Sequence, residues 1–197
     1  MELPQLAADP PERADAARNR ASILCAARRL FSERGVACVS MDDVAEAAGV
    51  GKGTLFRRFG SRAELARAVL SDREAAFQEE IIRGCPPLGP GAPPRERMLA
   101  FGHGVLNLLG ENAELLLAAE GNGARFLAPP YAVYRLHMTL LLREADPECD
   151  AEYLAETLLA CLSADFFVYL RDVREMDLER IEAGWSELVR LVLPEAP

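Results

Sequence analysis

Helical periodicity runs through almost the whole chain and constrains its fold more than any other feature of the sequence. Apolar residues recur every three or four positions, which is the spacing that buries one face of an α-helix. No segment shows the sustained apolar–polar alternation that indicates a strand. We therefore predict an all-helical protein. The first of these apolar stripes consists of Ile23, Ala26, Ala27, Leu30 and Phe31.

Four helices are predicted before residue 83. Ser40 is a good N-cap for the second of them, and Gly49 can adopt the left-handed conformation that ends it. Ser61 and Glu64 have the spacing of a capping box at the start of the fourth. The first predicted helix ends near residue 34, and the other three cover 40–49, 51–59 and 61–82.

A segment rich in proline and glycine follows at 84–94. It contains five prolines and three glycines, so neither a helix nor a strand can continue through it. We predict a loop there and five helices beyond it, near 95–109, 112–120, 131–145, 151–172 and 178–192. The breaks between these helices are placed at Gly-Asn-Gly (121–123), Pro129-Pro130, Pro147 and Asp177.

The second and third helices form a candidate helix-turn-helix. Two short helices joined by a tight turn allow one of them to enter the major groove of DNA while the other supports it. Small Ala45 and Ala48 let the helices approach closely, and Gly49 suits the turn. Val50 and Leu55 are apolar positions that hold the pair together. We therefore predict that this helix pair binds DNA.

The exposed face of the third helix is predicted to be polar and basic. Its side chains can reach phosphates or base edges, and its N-terminus offers free backbone N–H groups to a phosphate. From Gly51 to Arg62 the chain carries four cations and no acidic residue. The predicted contacts on this face are Lys52, Thr54, Arg57 and Arg58.

The overall charge argues against a protein that coats nucleic acid through its net field. The net charge is −9, yet residues 1–80 hold 12 Arg or Lys and 13 Asp or Glu, whereas residues 81–197 hold 10 and 18. Exposed charges act mainly over about 8 Å at physiological salt. A local basic contact surface can therefore persist in an acidic chain.

The sequence favours a cytoplasmic location without membrane contact. The N-terminus has neither the basic start nor the apolar stretch of a secretion signal. No uncharged apolar run is long enough to span a membrane. The five cysteines are far apart and include no C-x-x-C pair, so we expect most of them to be buried thiols in a reducing compartment.

Residues 20–70 resemble the tetracycline-repressor (TetR) family of bacterial regulators. The likeness lies in the segments ILCAARRLFSERG and VSMDDVAEAAGVGKGTLFRRFGSRAELARAVL and in their spacing, which are similar to that family's three-helix DNA-binding unit and the start of its fourth helix. The resemblance implies DNA contacts from the recognition helix, the start of the second helix and the start of the fourth. In that order, these residues are Lys52, Gly53, Thr54, Phe56 and Arg58, then Ser40 and Met41, then Arg62.

Three positions depart from the family's usual pattern. Phe56 stands where the family usually has a tyrosine, so a hydroxyl contact with a phosphate cannot form there, and Arg57 and Arg58 are candidates to compensate. Gly51 replaces a common serine and remains an acceptable N-cap. Arg62 replaces the usual lysine and keeps the positive charge.

The resemblance also implies that residues 83–197 form a helical bundle, which binds a small effector and pairs with a second subunit through its last two helices. The effector is expected to be largely apolar. Candidate effector contacts are Phe101, His103, Phe126, Tyr134, His137, Met138, Asp165 and Phe166. Candidate dimer-interface residues are Leu158, Leu162, Tyr169, Ile181, Trp185 and Leu188.

Several of these residues have ordinary structural explanations as well. His103 and His137 lack metal-type spacing, so a pocket or core position is expected for both. Asp165 lies in an apolar helix and marks either a cation-binding pocket or a pair with an arginine in the core or the dimer interface. Gly51-Lys52-Gly53-Thr54 lacks the residues that a phosphate-binding loop requires. We expect no metal, cofactor or catalytic residue.

These observations predict an arm over 1–12, a DNA-binding domain over 13–60, a connecting helix over 61–82 and a ligand-binding and dimerisation domain over 83–197. The predicted function is ligand-responsive repression through a near-palindromic double-stranded operator, bound by a homodimer whose recognition helices lie about 34 to 36 Å apart. Two alternatives stay open. One is an activator of the same family, and the other is an all-helical small-molecule-binding protein or enzyme that retains a helix-turn-helix shape.

Overall fold

The computed structural model describes residues 11–120 and 124–193, and these ranges contain helices and no strand. The predicted all-helical class is therefore confirmed. A 3₁₀ turn (Val36–Cys38) separates the first two helices, and a π-helical turn (Tyr169–Val173) extends the ninth. The helices are α1 (Pro11–Arg34), α2 (Met41–Ala48), α3 (Lys52–Phe59), α4 (Arg62–Arg83), α5 (Pro94–Glu120), α6 (Ala124–Leu127), α7 (Pro129–Ala145), α8 (Ala151–Cys161), α9 (Ala164–Val168) and α10 (Leu178–Val192).

The chain divides into two compact units, Met1–Val69 and Leu70–Pro197, and the boundary lies within α4. The finer division into an arm, a DNA-binding domain, a connecting helix and a C-terminal domain stays a prediction. In the first unit, the apolar stripe of α1 is buried as its spacing predicts, together with Val44 of α2 and Leu55 of α3. The Ser22 hydroxyl donates a hydrogen bond to the Ala48 carbonyl (3.2 Å), which fastens α1 to the end of α2.

Local signals start and end α2 as the sequence predicts. The Ser40 hydroxyl accepts a hydrogen bond from the Asp43 N–H (3.1 Å), and the Asp43 carboxylate accepts one from the Ser40 N–H (2.8 Å). The Ser40 hydroxyl also donates a hydrogen bond to the Asp43 carboxylate (2.6 Å), and this bond, together with the one from the Ser40 N–H, holds the pKa of the Asp43 carboxyl below its usual range. Gly49 ends the helix in the left-handed region (φ 66°), where a side chain is unfavourable.

The second unit has an apolar core, to which α5, α7, α8, α9, α10 and the second half of α4 contribute. Gly102 of α5 lies directly against Trp185 of α10, since a Cβ atom at Gly102 would lie 2.0 Å from the indole ring. Trp185 is buried and donates a hydrogen bond from Nε1 to the Met98 carbonyl (3.3 Å). Two helices can pack this closely around a tryptophan only because Gly102 has no side chain.

The structure has one helix break that was not predicted and lacks one that was. The predicted helix over 151–172 is interrupted at Leu162 and Ser163, because the Ser163 hydroxyl accepts a hydrogen bond from the Phe166 N–H (3.4 Å) and starts a new helix. The helices predicted over 95–109 and 112–120 form one helix, α5, with non-helical geometry at Asn112 (φ −136°). At this irregularity the side-chain amide of Asn112 donates a hydrogen bond to the Leu108 carbonyl (3.1 Å).

Three further features of the helices differ from the prediction. Pro129 and Pro130 open α7 rather than separating helices, because proline is tolerated in a first helical turn. The short helix α6 was not predicted, and α1 begins at Pro11, inside the predicted arm. The rest of the arm and the Gly-Asn-Gly break at 121–123 lie outside the described residues.

Within the described ranges, no single helix is both long and apolar enough to cross a membrane. Taken together, the two helical segments Ala151–Cys161 and Ala164–Val173, which meet at a bend of 41°, have the necessary length and composition. Their apolar residues include buried positions of the second core, such as Leu158 and Phe167. All five cysteines are free thiols, and the prediction that most of them are buried is wrong, because Cys25, Cys38 and Cys85 are exposed and Cys149 and Cys161 are half-buried. Among the described residues no group of three or more side chains has the arrangement of a metal site.

Candidate nucleic-acid interface and effector cavity

The turn between α2 and α3 fixes the two helices of the candidate DNA-binding motif. The Gly49 N–H binds the Glu46 carbonyl (3.1 Å), and the Val50 N–H binds the Ala45 carbonyl (3.0 Å). Gly51 then caps α3 with its backbone alone, since no described side chain accepts from the first N–H groups of this helix. The start of α3 therefore keeps backbone donors that an anion can bind.

The two faces of α3 differ in chemistry. Leu55 and Phe59 are one turn apart and buried, so they attach the helix to the first unit. Gly53 and Arg57 are likewise one turn apart, and they lie exposed on the opposite side. A Cβ atom at Gly53 would meet nothing within 4 Å. Thr54 lies beside them and is half-buried, so the outward face is small, polar and cationic.

The flanking cations already have partners within the first unit. The Lys52 ammonium lies 2.5 Å from the Asp42 carboxylate, and both side chains are exposed. The Arg58 guanidinium donates to the Ala16 carbonyl (2.7 Å). Arg62 donates in the same way to the Ala37 carbonyl (3.1 Å). Exposed Arg57 has no ion pair or side-chain hydrogen bond within the described ranges.

The remaining predicted DNA contacts have different environments. Ser40 is exposed, but its hydroxyl and N–H are used in the capping box. The Met41 side chain is buried, so only its backbone can contact DNA, and a side-chain contact at this position is excluded. Phe56 is 47% exposed and presents a hydrocarbon ring at the flank of α3.

Four of the predicted effector residues meet in the second unit. Phe101 packs against Tyr134 (5.3 Å between ring centroids) and against His137 (5.4 Å), and Met138 belongs to the same core. Phe77, which sequence reasoning missed, completes this cluster and lies 5.9 Å from Phe101 and 5.8 Å from Tyr134. The structure therefore brings half of the predicted set together.

His137 is the polar member of this aromatic cluster. Its side chain is 7% exposed, and Nε2 has no hydrogen-bond partner in the described part of the chain. Burial lowers the pKa of His137 to about 4, and the nearby Arg97 charge acts in the same direction. His137 is therefore a neutral imidazole at physiological pH, with a ring nitrogen able to meet a polar atom of a ligand.

The other four predicted effector residues do not join the cluster. His103 Nε2 lies 2.9 Å from the Ser186 hydroxyl. Phe126 and Phe166 are exposed. Asp165 is exposed in the first turn of α9, where hydrogen bonding by the Ser163 side chain lowers the pKa of its carboxyl. Its place at a helix N-terminus explains this carboxylate without a cation pocket.

Described residues of the second unit line a cavity beside Phe77 and a smaller one beside Trp185. The cavity beside Phe77, about 420 Å³, is an open groove whose lining combines Phe77 with the ion pair of Arg73 and Glu111. Its lining residues are Arg73, Ala76, Phe77, Glu80, Leu88, Gly104, Asn107, Leu108 and Glu111, none of which the sequence predicted. The smaller, about 190 Å³, is lined by predicted residues among others, namely Leu162, Phe166, Ile181, Trp185 and Leu188.

The predicted dimer-interface residues lie mostly inside the protomer. Leu158, Leu162, Ile181 and Trp185 are buried in the core of the second unit, so their side chains are not available at its surface. Tyr169 is exposed and Leu188 is half-buried. The expectation failed for four residues because an apolar helix face alone does not distinguish a protomer's own core from an interface.

Comparison with known proteins identifies the family. The model of the bacterial regulatory proteins of the tetR family matches residues 23–69. The HTH-type transcriptional regulator TtgR of Pseudomonas putida is 45% identical over 56 residues, which cover 28% of this chain and only 27% of that relative's length. The HTH-type transcriptional regulator SAB2452 of Staphylococcus aureus is 41% identical over 185 residues, which cover 93% of this chain and 97% of the relative.

Solved structures agree with this fold. The regulator FadR from Bacillus subtilis, solved with stearoyl-CoA, superposes with a TM-score of 0.64 at 13% identity, over 90% of this chain and 99% of FadR. NalD from Pseudomonas aeruginosa, a repressor of a multidrug efflux pump, gives a TM-score of 0.60 at 20% identity, over 91% and 98%. At these identities the likeness concerns the fold alone. Together with the relative that matches nearly full length, the helix-turn-helix and its family match show that this chain belongs to the TetR family of bacterial regulatory proteins, which are transcriptional regulators and not enzymes.

Proposed function

We propose that the protein is a ligand-responsive repressor that binds a near-palindromic DNA operator as a homodimer. The observation that carries this proposal is the outward face of α3, where Arg57 lies exposed beside Gly53 and above a helix N-terminus without a side-chain cap. Such a helix combines backbone donors for a phosphate with a guanidinium that can bind guanine in a bidentate manner.

Arg57 is the most informative residue for testing DNA binding. Arg58 and Arg62 hold backbone carbonyls of the first unit, so removing either changes the fold and the charge together. Arg57 has no such role within the described residues. A change in affinity on replacing Arg57 therefore reports on its contact with DNA.

The experiment selects tight-binding duplexes from a random library with the purified protein and measures affinity by fluorescence anisotropy at fixed salt. We expect Arg57→Gln to weaken binding roughly 10-fold or more, because a base or phosphate contact contributes about 1 to 3 kcal/mol. Arg29→Gln is the matched control, since Arg29 is exposed on α1 and pairs with Glu33. Equal losses from the two variants would contradict the assignment, and selection of no duplex at all would refute the function.

The homodimer is supported by apolar side chains that the protomer leaves exposed on its last helices. We propose that a second copy covers the exposed apolar side chains Tyr153, Phe166, Tyr169, Val173 and Leu191, of which Phe166 and Tyr169 stack on each other. Sedimentation velocity should give a dimer for the wild type and a weaker one for Val173→Asp. A wild-type chain that sediments as a monomer while protecting two half-sites would contradict this proposal.

The effector site is proposed at the larger cavity. Its volume of about 420 Å³ suits a small molecule. Phe77 contributes both to this cavity and to the aromatic cluster that contains His137, so a ligand in the cavity would contact the edge of that cluster. Because α4 contains both Phe77 and residues of the first unit, a ligand that displaces this helix can change DNA affinity, typically by about 1 to 3 kcal/mol.

Nile red, a neutral apolar dye, can serve as the probe for this cavity. Ala76→Trp should fill the cleft and weaken dye binding roughly 10-fold, in line with the affinity that a well-filled apolar pocket provides. Ala75→Trp is the control, because Ala75 is the exposed neighbour that does not line the cavity. The proposal fails if both variants bind the dye as the wild type does.

Activation instead of repression needs a separate test. Reporter transcription is measured from a promoter that carries the selected duplex, with and without the protein. A repressor lowers this transcription, and an activator raises it. An all-helical binding protein or enzyme that merely retains the helix-turn-helix shape predicts DNA binding that is indifferent to Arg57.

A further inference from the structure

The ion pair between Asp42 and Lys52 places an acidic group at the start of the candidate DNA-binding helix. The two charged atoms are 2.5 Å apart, and the side chains of Lys52 and Asp42 are 66% and 54% exposed. Asp42 belongs to the first turn of α2 and Lys52 is the first residue of α3. A carboxylate thus holds the cation that is closest to the uncapped N-terminus of α3.

Asp42 interacts favourably with the helix dipole in the first turn of α2, but it takes no part in the capping box. The capping box uses Ser40 and Asp43, which exchange hydrogen bonds in both directions. Exposed ion pairs contribute little to stability. The helix dipole does not require Asp42 to contact Lys52, so the ion pair places a carboxylate on the surface that we propose binds DNA phosphates.

We propose that Asp42 is a specificity-determining residue that occupies Lys52 in the free protein and so lowers its affinity for every duplex. This inference rests on the proposed DNA-binding function. When a phosphate approaches, Lys52 must leave Asp42, and the carboxylate is then left unpaired beside the DNA backbone. Binding that depends on phosphates alone loses affinity, whereas a cognate operator offsets the loss through base contacts.

The ionic strength provides a distinctive signature. A cation that binds a phosphate and carries no partner releases a counterion from DNA, and this steepens the dependence of log K on log salt by about 0.9. Lys52 is already neutralised by Asp42, so its transfer to a phosphate releases less. Removing the carboxylate charge should restore the missing part of the slope.

The test measures binding of a random-sequence duplex and of the selected duplex over a salt series by fluorescence anisotropy. We expect Asp42→Asn to tighten binding of the random duplex roughly 3- to 10-fold at low salt and to steepen its salt dependence by about 0.9. The ratio of the two affinities should fall. Circular dichroism and urea unfolding verify that the variant keeps its fold.

Glu46→Gln is the matched control. Glu46 lies four residues beyond Asp42, hence on the same side of α2, it is exposed, and its replacement changes the net charge by the same amount. We expect it to have a smaller effect on both affinity and slope. In a Lys52→Gln background, the effect of Asp42→Asn should fall to that of Glu46→Gln.

Three results would overturn the inference. Equal effects of Asp42→Asn and Glu46→Gln would indicate a general charge effect, and an unchanged effect in the Lys52→Gln background would exclude the pair as its cause. Weaker binding of the selected duplex by Asp42→Asn would indicate that Asp42 accepts a hydrogen bond from a base. The proposed function fails separately, in the case where the wild-type chain binds neither duplex.

Discussion

Leu55→Ala should lower the free energy of unfolding by about 2 to 5 kcal/mol and abolish DNA binding, although it changes no residue of the DNA-contacting face. Leu55 is 0% exposed and is the side chain by which α3 enters the core of the first unit. The truncation removes buried methyl groups and leaves a cavity under the helix. Because α3 has only eight residues, it depends on this packing for its position.

Phe56→Ala is the control for this prediction. Phe56 is the next residue of the same helix and is larger, but it is 47% exposed. Its truncation should cost less than about 1 kcal/mol in urea unfolding followed by circular dichroism. If the two variants lose equal stability, Leu55 does not anchor α3, and the orientation assigned to this helix is wrong.

Gly102→Ala should destabilise the second unit by about 1 to 3 kcal/mol or more, an unusually large effect for one added methyl group. The new Cβ atom would lie 2.0 Å from the Trp185 ring, so α5 or the indole must move. Trp185 is buried and hydrogen-bonded to the Met98 carbonyl, which leaves it little freedom to do so.

Trp185 also reports on this change directly. It is the single tryptophan of the chain, so its fluorescence follows the environment of α10 during urea unfolding. Gly184→Ala is the matched control, because a Cβ atom there meets nothing within 4 Å and alanine favours the helix by up to about 1 kcal/mol. A neutral Gly102→Ala variant with an unshifted emission spectrum would show that the close packing of α5 and α10 is not present in solution.

The first unit could be predicted from the sequence in detail because its signals are local. Ser40 and Asp43 cap a helix through groups three residues apart, and Gly49 ends it through its own backbone freedom. The spacing of Leu55 from the turn identifies the buried side of α3. These features depend on chemistry within one or two helical turns, which a sequence displays directly.

The hydrogen-bond and ion-pair partners of the cationic side chains in that unit could not be predicted in the same way. Lys52 and Arg58 were expected to be available for DNA, but they bind Asp42 and the Ala16 carbonyl. The Ala16 contact joins residues 42 positions apart. Only the assembled helices bring these groups together, and this is why Arg57, one of four candidates in the sequence, emerges as the informative residue.

The second unit was predicted less well because its core and its surfaces are equally apolar in sequence. Trp185 and Leu158 were assigned to an interface, and the structure buries both within the protomer. The cavity beside Phe77 has no sequence signal apart from Gly104. Gly104 leaves room for the Phe77 ring, because a Cβ atom at this position would lie 2.3 Å from that ring. Such a space is a property of packing between helices.

The insertion of α3 into DNA can be measured by cleavage from a tethered reagent. A copper–phenanthroline group is attached at Thr54→Cys, in a chain whose five native cysteines are replaced by serine or alanine. Bound to the selected duplex, this protein should cut a few neighbouring base pairs within each half-site, on both strands, at positions that untethered reagent does not favour. A variant that protects the duplex from nuclease yet cuts it no differently from the free reagent would contradict the insertion of this helix.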